Sequence, residues 1–542
     1  MANEMRPSPG VRRAALVALA LGLLVSLYAP GLVGGAIPCF RDLLSHHLGW
    51  HLEAARTLAS GRLPWIDPAM GAGAPLLADP NTMALYPDTL LFAVLPPALA
   101  LTLHLLLHHL LLAFGAFLFL RRLGRPFRGA LTGAVFAAGG GLAFSQLAFA
   151  NSVAALAWAP WLLWTAVRLP ADGRGLARRV GAAAIFGALS LLAGEPVLTG
   201  LSWIAWGLTL SAGNSWNRPV AIRRLGLLAA PLLSVALAAP LLLPAAAVHA
   251  GSERRMLGLR PGSVAADAFL PRRWLEPLLP HLFGTPGPFA PDGAWAEPSF
   301  GWLRYEVNLH LGTVALVLLL LGGWSRRNRP WTATAVAAVV LAASPALIHL
   351  VGRVVPLAGE LRYGIKFLVL AHLALVPVIA RAAAAARRRP GGFRRRAVAT
   401  GAVLLALGLP LATPPSARTV LSALYPASAG NLAEPGVAES VAASVRRDLA
   451  VELVPLAAAA VAPAALVLPA LAVQLSLGGG SMLIWDDSER YLEPPPLAAR
   501  LGADRRLAEG IAFPFDRLHR PLAPGVPAPV ARARTGAAQL WR

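Results

Sequence analysis

The feature that most constrains this chain is a series of apolar runs long enough to cross a lipid bilayer. About 20 apolar residues in a helix span a hydrocarbon core of roughly 30 Å. Apolar residues make up 56% of the 542 residues and charged residues only 14%, whereas a soluble domain carries about 25% charged residues. Water cannot solvate such a chain. We therefore predict an all-α fold, a polytopic transmembrane helical bundle.

The apolar runs predict about 12 or 13 spans. The candidate spans are 14–35, 98–120, 129–147, 153–167, 180–193, 197–212, 225–248, 309–323, 332–351, 365–384, 397–411 and 451–473, with a weaker thirteenth at 475–485. These runs define a membrane domain over 1–475. Residues 476–542 form a Pro-rich tail, and the sequence leaves open the side of the membrane on which it lies.

The distribution of arginine predicts the orientation of the bundle. The formal charge is +22, but the cations fall in short clusters between apolar runs. A nucleic-acid-binding protein would gather them on one soluble face, so we expect no nucleic-acid partner. If the N-terminus is cytoplasmic, every second connection carries such a cluster, as the positive-inside rule requires. The clusters begin at Arg6, Arg121, Arg168, Arg218, Arg326 and Arg387.

The same alternation places three long segments, 36–97, 249–308 and 412–449, on the outer side of the membrane. In the first of them, Leu43, His47, Trp50, Ala54 and Leu58 recur at helical spacing. We predict an amphipathic helix over 43–59 that lies in the membrane interface and ends before Gly61. The turn-rich passage that follows it cannot lie within lipid.

Several motifs follow one another along residues 36–380. They are an Asp after the first span, Gly61-Arg-Leu-Pro-Trp-Ile-Asp-Pro, Gly71-Ala-Gly-Ala-Pro-Leu-Leu-Ala-Asp79, Leu85-Tyr-Pro, Gly194-Glu-Pro, Leu278-Leu-Pro-His-Leu-Phe-Gly284, Tyr305-Glu-Val-Asn-Leu-His-Leu-Gly312 and Arg362-Tyr-Gly-Ile-Lys366-Phe. In this order they resemble the YfhO-like bacterial membrane proteins, which belong to the GT-C group of glycosyltransferases. The chain departs from the family pattern at Val197, where Gln is usual, and at Gly364, where Pro is usual.

The resemblance implies a GT-C-like architecture with interfacial helices in the periplasmic loops. It also implies a function: transfer of a sugar from a polyprenyl-phosphate donor to a lipid, glycan or protein of the cell envelope, at the outer face of the bacterial inner membrane. The expected partners are membrane lipid, the donor and an acceptor that the sequence does not identify. A divalent metal, Mg or Mn, is an expected cofactor in some members of the group and not in others.

Two carboxylates in the first outer loop are the candidate catalytic residues. The resemblance places the catalytic Asp of the group at Asp42 and a second carboxylate at Asp79. Glycosyl transfer needs a base that takes the proton of the acceptor hydroxyl. The alternative for Asp42 is structural, because Asp is favoured as the N-cap of a helix.

Lys366 is the only lysine of the chain. A compact ammonium suits a phosphate, so we predict that Lys366 and Arg362, four residues apart on one helical face, bind the donor phosphate. In the alternative interpretation, both cations extend toward lipid headgroups without a specific ligand.

Other ionisable residues are candidates for the lining of a polar cavity, because ionisable groups within a membrane usually face one. They are His46, His47, His104, His108, Glu195 and Glu306. His47 and His51, and likewise His104 and His108, have the i,i+4 spacing of metal ligands, but the sequence offers no carboxylate at a known spacing to complete a zinc site.

Two other functions use the same apolar runs. A transporter or flippase for a lipid-linked glycan would show paired half-helices or inverted repeats, and neither is evident in the sequence. A non-catalytic membrane scaffold would not need carboxylates and cations to converge at one outer mouth.

Overall fold

The computed structural model describes residues 8–68, 73–212, 218–252, 269, 273–284, 295–296, 305–354, 361 and 363–492. Within these ranges the chain is mainly helical. The α-helices of the N-terminal half are Pro9–Ser26, Ala29–Val33, Leu48–Ala59, Leu91–Val94, Pro97–Arg122, Phe127–Gly139, Gly141–Gln146, Ala150–Ala166, Gly173–Leu192, Pro196–Ala212, Arg218–Leu227, Ala229–Leu237 and Ala239–Ala250. Those of the C-terminal half are Thr313–Gly322, Arg329–Ala343, Pro345–Val354, Phe367–Arg388, Pro390–Gly408, Pro414–Leu424, Ala429–Ala433, Val437–Val461, Pro463–Gly479 and Glu489–Leu492.

The helices confirm a multi-pass membrane protein. Among the described residues, four helices are long and apolar enough to cross a membrane, and the number rises to seven if each of three bent helix pairs is one span. Large apolar side chains on the periphery are open to the surroundings: Leu232, Val398 and Val454 are 75%, 70% and 68% exposed. Such a surface is stable against lipid and unfavourable in water. The predicted number of 12 or 13 spans stays a prediction.

Prolines and glycines break several of the predicted spans. The prediction of one span over 451–473 is wrong, because Val437–Val461 ends there and a second helix, Pro463–Gly479, packs back against it. Ala462 between them has non-helical dihedral angles, as expected for the residue before a proline. The run 332–351 is likewise bent by 102° at the start of Pro345–Val354, and 129–147 is interrupted at Gly140.

Four central helices form the core of the bundle: Pro97–Arg122, Phe127–Gly139, Ala150–Ala166 and Phe367–Arg388. A Cβ atom added to Gly129 would lie 2.5 Å from the Ala380 carbonyl oxygen, so the backbones of two of these helices touch. Small residues permit such close approach between membrane helices. Phe149 and Lys366 immediately precede two of the central helices, and both therefore have fixed positions.

The predicted inner arginines meet at one end of the bundle. Arg122 donates to the Val167 carbonyl oxygen at 2.7 Å, Arg128 to Ala464 at 2.8 Å and Arg394 to Ala460 at 2.9 Å. Val167 and Ala460 lie at the C-terminal ends of helices, where cations satisfy carbonyl groups that have no intrahelical partner. Lys366 lies at the opposite end of Phe367–Arg388, about 30 Å away at 1.5 Å per residue.

Two small antiparallel sheets lie at the end of the bundle opposite these arginines. Ala36–Pro38 pairs with Trp485–Asp487, with Ala36 opposite Asp487, so the start of the predicted tail lies beside the beginning of the first outer loop. Ile66–Asp67 pairs with Ala74–Pro75 in that loop. The predicted amphipathic helix is present as a π-helical turn, Leu43–His47, followed by Leu48–Ala59. Gly61 follows with φ of +74°, a conformation that favours glycine.

Candidate functional site

A column of aromatic rings connects two cations at the outer-loop end of the bundle. The Arg41 guanidinium lies over the Phe149 ring, 4.9 Å from its centroid. Phe149 stacks on Tyr305 at 4.8 Å, and Tyr305 stacks on Tyr363 at 4.3 Å. The Lys366 ammonium lies 4.8 Å from the Tyr305 centroid. Ring faces attract cations most strongly when both are shielded from water, so the column holds two positive charges close together.

Asp42 is the next residue in the chain after Arg41, the first cation of this column. Arg41 has φ of +50°, in the left-handed region that non-glycine residues rarely adopt, and its Nη1 donates to the Tyr305 carbonyl oxygen at 2.9 Å. Asp42 occupies the N-cap position of the turn Leu43–His47, but its side chain makes no capping hydrogen bond. The structural alternative for Asp42 therefore has no support from this geometry.

Lys366 forms an ion pair with Glu195. Lys366 Nζ lies 2.9 Å from Glu195 Oε1, and both side chains are 8% exposed. Glu195 lies in a turn held against the first outer loop: Gly194 has φ of +82°, and a Cβ atom there would collide with the Pro80 carbonyl group. The buried pair thus ties together the turn at 194–196, the first outer loop and the start of Phe367–Arg388.

The helical face predicted for Arg362 and Lys366 stays a prediction, and the helical structure around Lys366 does not reach back beyond Gly364. Tyr363 is extended, with φ of −115° and ψ of 93°, and helical structure begins only at Gly364. Gly364 stands where the family pattern has Pro, and the turn Gly364–Lys366 is a 3-10 helix leading into Phe367–Arg388. Arg362 itself lies outside the described residues.

Asp79 has a local structural role. Its Oδ1 accepts hydrogen bonds from the Asn81 backbone at 3.0 Å and from the Asn81 side chain at 2.9 Å. It thereby caps the 3-10 helix Pro80–Thr82. Asn81 in turn accepts a hydrogen bond from Asn151 at 3.0 Å. Its predicted part in catalysis stays a prediction.

Glu306 is fully buried beside the aromatic column. Gln146 Nε2 donates to both of its carboxylate oxygens, at 2.8 and 2.9 Å, and Arg273 donates to its backbone carbonyl oxygen. Burial raises the pKa of Glu306 to about 7, against the lowering effect of Gln146 and of nearby cations. A carboxyl group with such a pKa can change its protonation state near neutral pH.

His47 and His51 of the first outer loop and His104 and His108 of Pro97–Arg122 form one cluster, which Asp88 completes. His104 Nδ1 lies 2.6 Å from Asp88 Oδ2, and His108 Nδ1 lies 3.7 Å from the same oxygen. The His51 ring packs 5.6 Å from that of His104. The sequence interpretation missed Asp88; its one signal is a carboxylate two residues after Tyr86, where the loop returns to the membrane.

The residues predicted to line a polar cavity are mostly buried among protein atoms. His47, His104 and His108 are at most 2% exposed, Glu195 is buried and Glu306 is inaccessible, while His46 is partly buried and packs on Trp50. Burial lowers the pKa of His51 to about 4 and that of His47 as well. Both imidazoles are therefore neutral at physiological pH.

Two further carboxylate–histidine pairs lie on Val437–Val461. Asp448 Oδ1 lies 2.5 Å from His281 Nδ1, Asp448 Oδ2 accepts from the His281 backbone at 2.9 Å, and His281 Nε2 lies 2.6 Å from Ser481 Oγ. One turn later, Glu452 pairs with His310 and accepts from the Thr313 backbone at 2.6 Å. These bonds fix the 280–284 and 308–313 segments against the bundle.

The predicted Mg or Mn cofactor stays a prediction. Among the described residues, the group of His, Cys, Asp and Glu whose ligand atoms converge is Asp88, His104 and His108, and neither Asp42 nor Asp79 belongs to it. Two imidazoles in the set suit a transition metal better than Mg²⁺.

No protein-family model matches the sequence, and no curated protein sequence matches it either. Among solved structures, the chain is similar to the crystal structure of ArnT from Cupriavidus metallidurans bound to undecaprenyl phosphate. The identity is 16%, the TM-score is 0.51, and the match covers 97% of this chain and 84% of that one. This likeness confirms the GT-C fold, while the finer YfhO-like resemblance stays a prediction.

Two other membrane glycosyltransferases match less well. The mycobacterial arabinofuranosyltransferase AftD gives a TM-score of 0.37 at 15% identity, over 68% of this chain and 24% of that one. The oligosaccharyltransferase of Archaeoglobus fulgidus gives a TM-score of 0.39 at 11% identity, over 97% of this chain and 64% of that one. The likeness to ArnT, together with the apolar helices, defines the chain as a multi-pass membrane protein with the fold of the GT-C glycosyltransferases.

Proposed function

We propose that the protein is a membrane glycosyltransferase that takes its sugar from a polyprenyl-phosphate donor, as a YfhO-like member of the GT-C group in the cell envelope. One observation carries the proposal: Arg41, the residue before Asp42, contacts the same aromatic column as Lys366. A candidate base and two candidate phosphate-binding cations belong to one connected group of residues. The similar ArnT structure contains undecaprenyl phosphate, which supports the choice of donor class.

In the proposed reaction, the acceptor hydroxyl oxygen attacks the anomeric carbon of the donor sugar. The bond from that carbon to the phosphate oxygen breaks, and the polyprenyl phosphate leaves with the electron pair. Asp42 takes the acceptor proton as general base. Arg41, Lys366 and Arg362 stabilise the negative charge on the departing phosphate, as cations positioned in a water-poor site do most effectively. Asp79 is the second carboxylate of the site.

Glu195 has a positioning role in this proposal. A free ammonium would be expensive to bury, and the carboxylate at 2.9 Å compensates its charge before the donor binds. The donor phosphate then competes with Glu195 for Lys366. The Tyr305 and Tyr363 rings lie beside Lys366, and apolar ring faces of this kind also pack against isoprenoid chains.

The proposed orientation places this site at the outer face of the bacterial inner membrane, with a cytoplasmic N-terminus. The site lies at the end of Phe367–Arg388 opposite its arginines Arg387 and Arg388. Those arginines mark the cytoplasmic end under the positive-inside rule. A lipid-linked donor would therefore reach the site from the outer leaflet.

Binding of a polyprenyl phosphate, the leaving group of the proposed reaction, tests the proposal without knowledge of the acceptor. Purified protein in lipid nanodiscs is titrated with undecaprenyl phosphate, and Arg41→Gln is compared with Arg62→Gln, an exposed arginine of the same loop. A charge-assisted hydrogen bond contributes about 1.5–3 kcal/mol, so Arg41→Gln should weaken binding by about 10- to 100-fold and Arg62→Gln should not. No binding by the unmodified protein would contradict the donor class.

A further inference from the structure

We infer that Asp88, His104 and His108, with His51 beside them, form a binding site for a transition-metal ion of the Zn²⁺ class, separate from the proposed transfer chemistry. All four residues are at least nine-tenths buried: the Asp88 side chain is 10% exposed and the three imidazoles at most 1%. The ligand atoms of Asp88, His104 and His108 all lie within 4.8 Å of one another. One carboxylate with several imidazoles is a donor set that zinc and its neighbours prefer.

Two buried ligand atoms that have no hydrogen-bond partner provide the second line of evidence. Asp88 Oδ1 and His51 Nε2 are buried and have no hydrogen-bond partner. His51 Nδ1 lies 2.6 Å from the His47 carbonyl oxygen, so Nδ1 carries the proton and Nε2 presents a lone pair. Buried acceptors without a donor are costly, and a bound cation would satisfy both.

The hydrogen bonds of His104 orient its ring for metal ligation. Its Nε2 faces the Ala150 carbonyl oxygen at 3.1 Å, so this nitrogen carries a proton. In a neutral imidazole, Nδ1 is then an acceptor, yet it faces the Asp88 carboxylate at 2.6 Å. At this distance a proton on the ring lies between the two acceptors, and a metal ion that ligates both atoms would displace this proton and move them apart.

His108 is held in a comparable way. Its Nε2 lies 2.8 Å from Tyr86 Oη, which also accepts a hydrogen bond from Trp158 at 2.7 Å. Metal-ligating histidines usually have their second nitrogen anchored by such a partner. His108 Nδ1 contacts the His104 carbonyl oxygen at 2.7 Å, so Nδ1 carries the ring proton there. Ligation through Nδ1 would require the other tautomer, in which the proton is on Nε2 and is donated to Tyr86 Oη.

The site joins separate parts of the chain. His51 belongs to the interfacial helix Leu48–Ala59, Asp88 to the turn Pro87–Leu90, and the other two histidines to Pro97–Arg122. A metal ion here would fasten the first outer loop to the core of the bundle. Its effect would be on the stability of that loop, measurable without any activity assay.

Metal content provides the test. The protein is purified with an affinity tag that contains no histidine, and metals are measured by mass spectrometry before and after chelator treatment. Co²⁺ is then added to the stripped protein, because its visible absorption reports coordination by the protein. We expect about one transition-metal ion per chain and Co²⁺ bands in the unmodified protein.

In Asp88→Asn and His104→Asn, the metal content and the Co²⁺ absorption should both fall by at least about tenfold. His109→Asn, a buried histidine of the same helix outside the site, should retain them, and gel filtration checks that each variant is folded. The inference is overturned if the unmodified protein binds neither the native metal nor Co²⁺, or if Asp88→Asn binds both as well as the unmodified protein does. A folded variant that loses the metal but keeps undecaprenyl phosphate binding would support a site independent of the proposed function.

Discussion

The Lys366 ammonium lies 2.9 Å from the Glu195 carboxylate, and both side chains are 8% exposed. This ion pair joins residues 171 positions apart in the sequence and lies against the Tyr305 ring. It gives the only lysine of the chain two roles, one in holding the outer turns together and one in the proposed contact with the donor phosphate. The two roles have different consequences on mutation.

Removal of one partner of this pair should destabilise the protein, and removal of both should restore most of the loss. Lys366→Met leaves Glu195 buried and uncompensated, at a cost of about 3–5 kcal/mol. Lys366→Met combined with Glu195→Gln removes both charges and should melt near the unmodified protein. The measurement is thermal unfolding in matched detergent. If the double variant is stable and still binds undecaprenyl phosphate normally, Lys366 has a structural role alone.

The stability of the fold should depend on pH through Glu306. Its pKa is raised from 4.5 to about 7 in the folded protein, so the folded state retains the proton that the unfolded state loses first. The contribution of Glu306 to the free energy of unfolding is therefore largest below pH 4.5, and it is lost as the pH rises through 7. The full effect is about 3 kcal/mol.

Glu306→Gln should remove this dependence, because the amide has no proton to lose. Melting curves of the variant and the unmodified protein should differ little at pH 5 and should separate, with the variant more stable, by pH 8. Glu53→Gln, a residue of the interfacial helix Leu48–Ala59, is the control. If the difference in melting temperature between Glu306→Gln and the unmodified protein is the same at pH 5 and pH 8, Glu306 is already ionised in the folded state.

Asp448 should be essential for the stability of the C-terminal part of the bundle. It is inaccessible to solvent and binds both the ring and the backbone of His281. Asp448→Ala leaves these donors buried and unsatisfied, and we expect a loss of about 3–5 kcal/mol, seen as a lower melting temperature. Asp487→Ala, at an exposed carboxylate, should change the melting temperature little.

Cysteine labelling tests the orientation. Cys39 is buried, and burial raises the pKa of its thiol to about 12, so it should react slowly and give a low background. Ser60→Cys should react with a membrane-impermeant maleimide in intact spheroplasts. Gly173→Cys, in a predicted inner connection, should react only after permeabilisation. The reverse pattern would contradict the orientation and the outer-face location of the site.

The sequence predicts the helical membrane architecture well because each apolar run is a local signal. It does not predict where a run bends, since Pro is compatible with a membrane helix whose freed backbone groups find other partners. The run containing Pro463 is in fact two helices. The interfacial helix is recognisable because its amphipathic periodicity is also local.

The partners of the candidate residues are not predictable in this way. Neither the pairing of Lys366 with Glu195 nor the stacking of Arg41 on Phe149 has a local signal, because long-range folding alone brings these residues together. The i,i+4 spacing of His104 and His108 was visible in the sequence, while Asp88 belongs to a loop whose path only the structure provides.

In the proposed reaction, Asp42 is the base of a sugar transfer from a polyprenyl phosphate. The most direct measurement is release of polyprenyl phosphate from a panel of labelled polyprenyl-phosphate sugars, with total envelope lipids and glycans as acceptors, by purified protein in nanodiscs. We expect turnover that Asp42→Asn lowers by about 10²-fold or more with normal folding and donor binding, whereas Asp79→Asn is expected to have a smaller effect. Asn replaces Asp as an N-cap almost without loss, so a purely structural Asp42 would leave turnover unchanged, and that result would contradict the account.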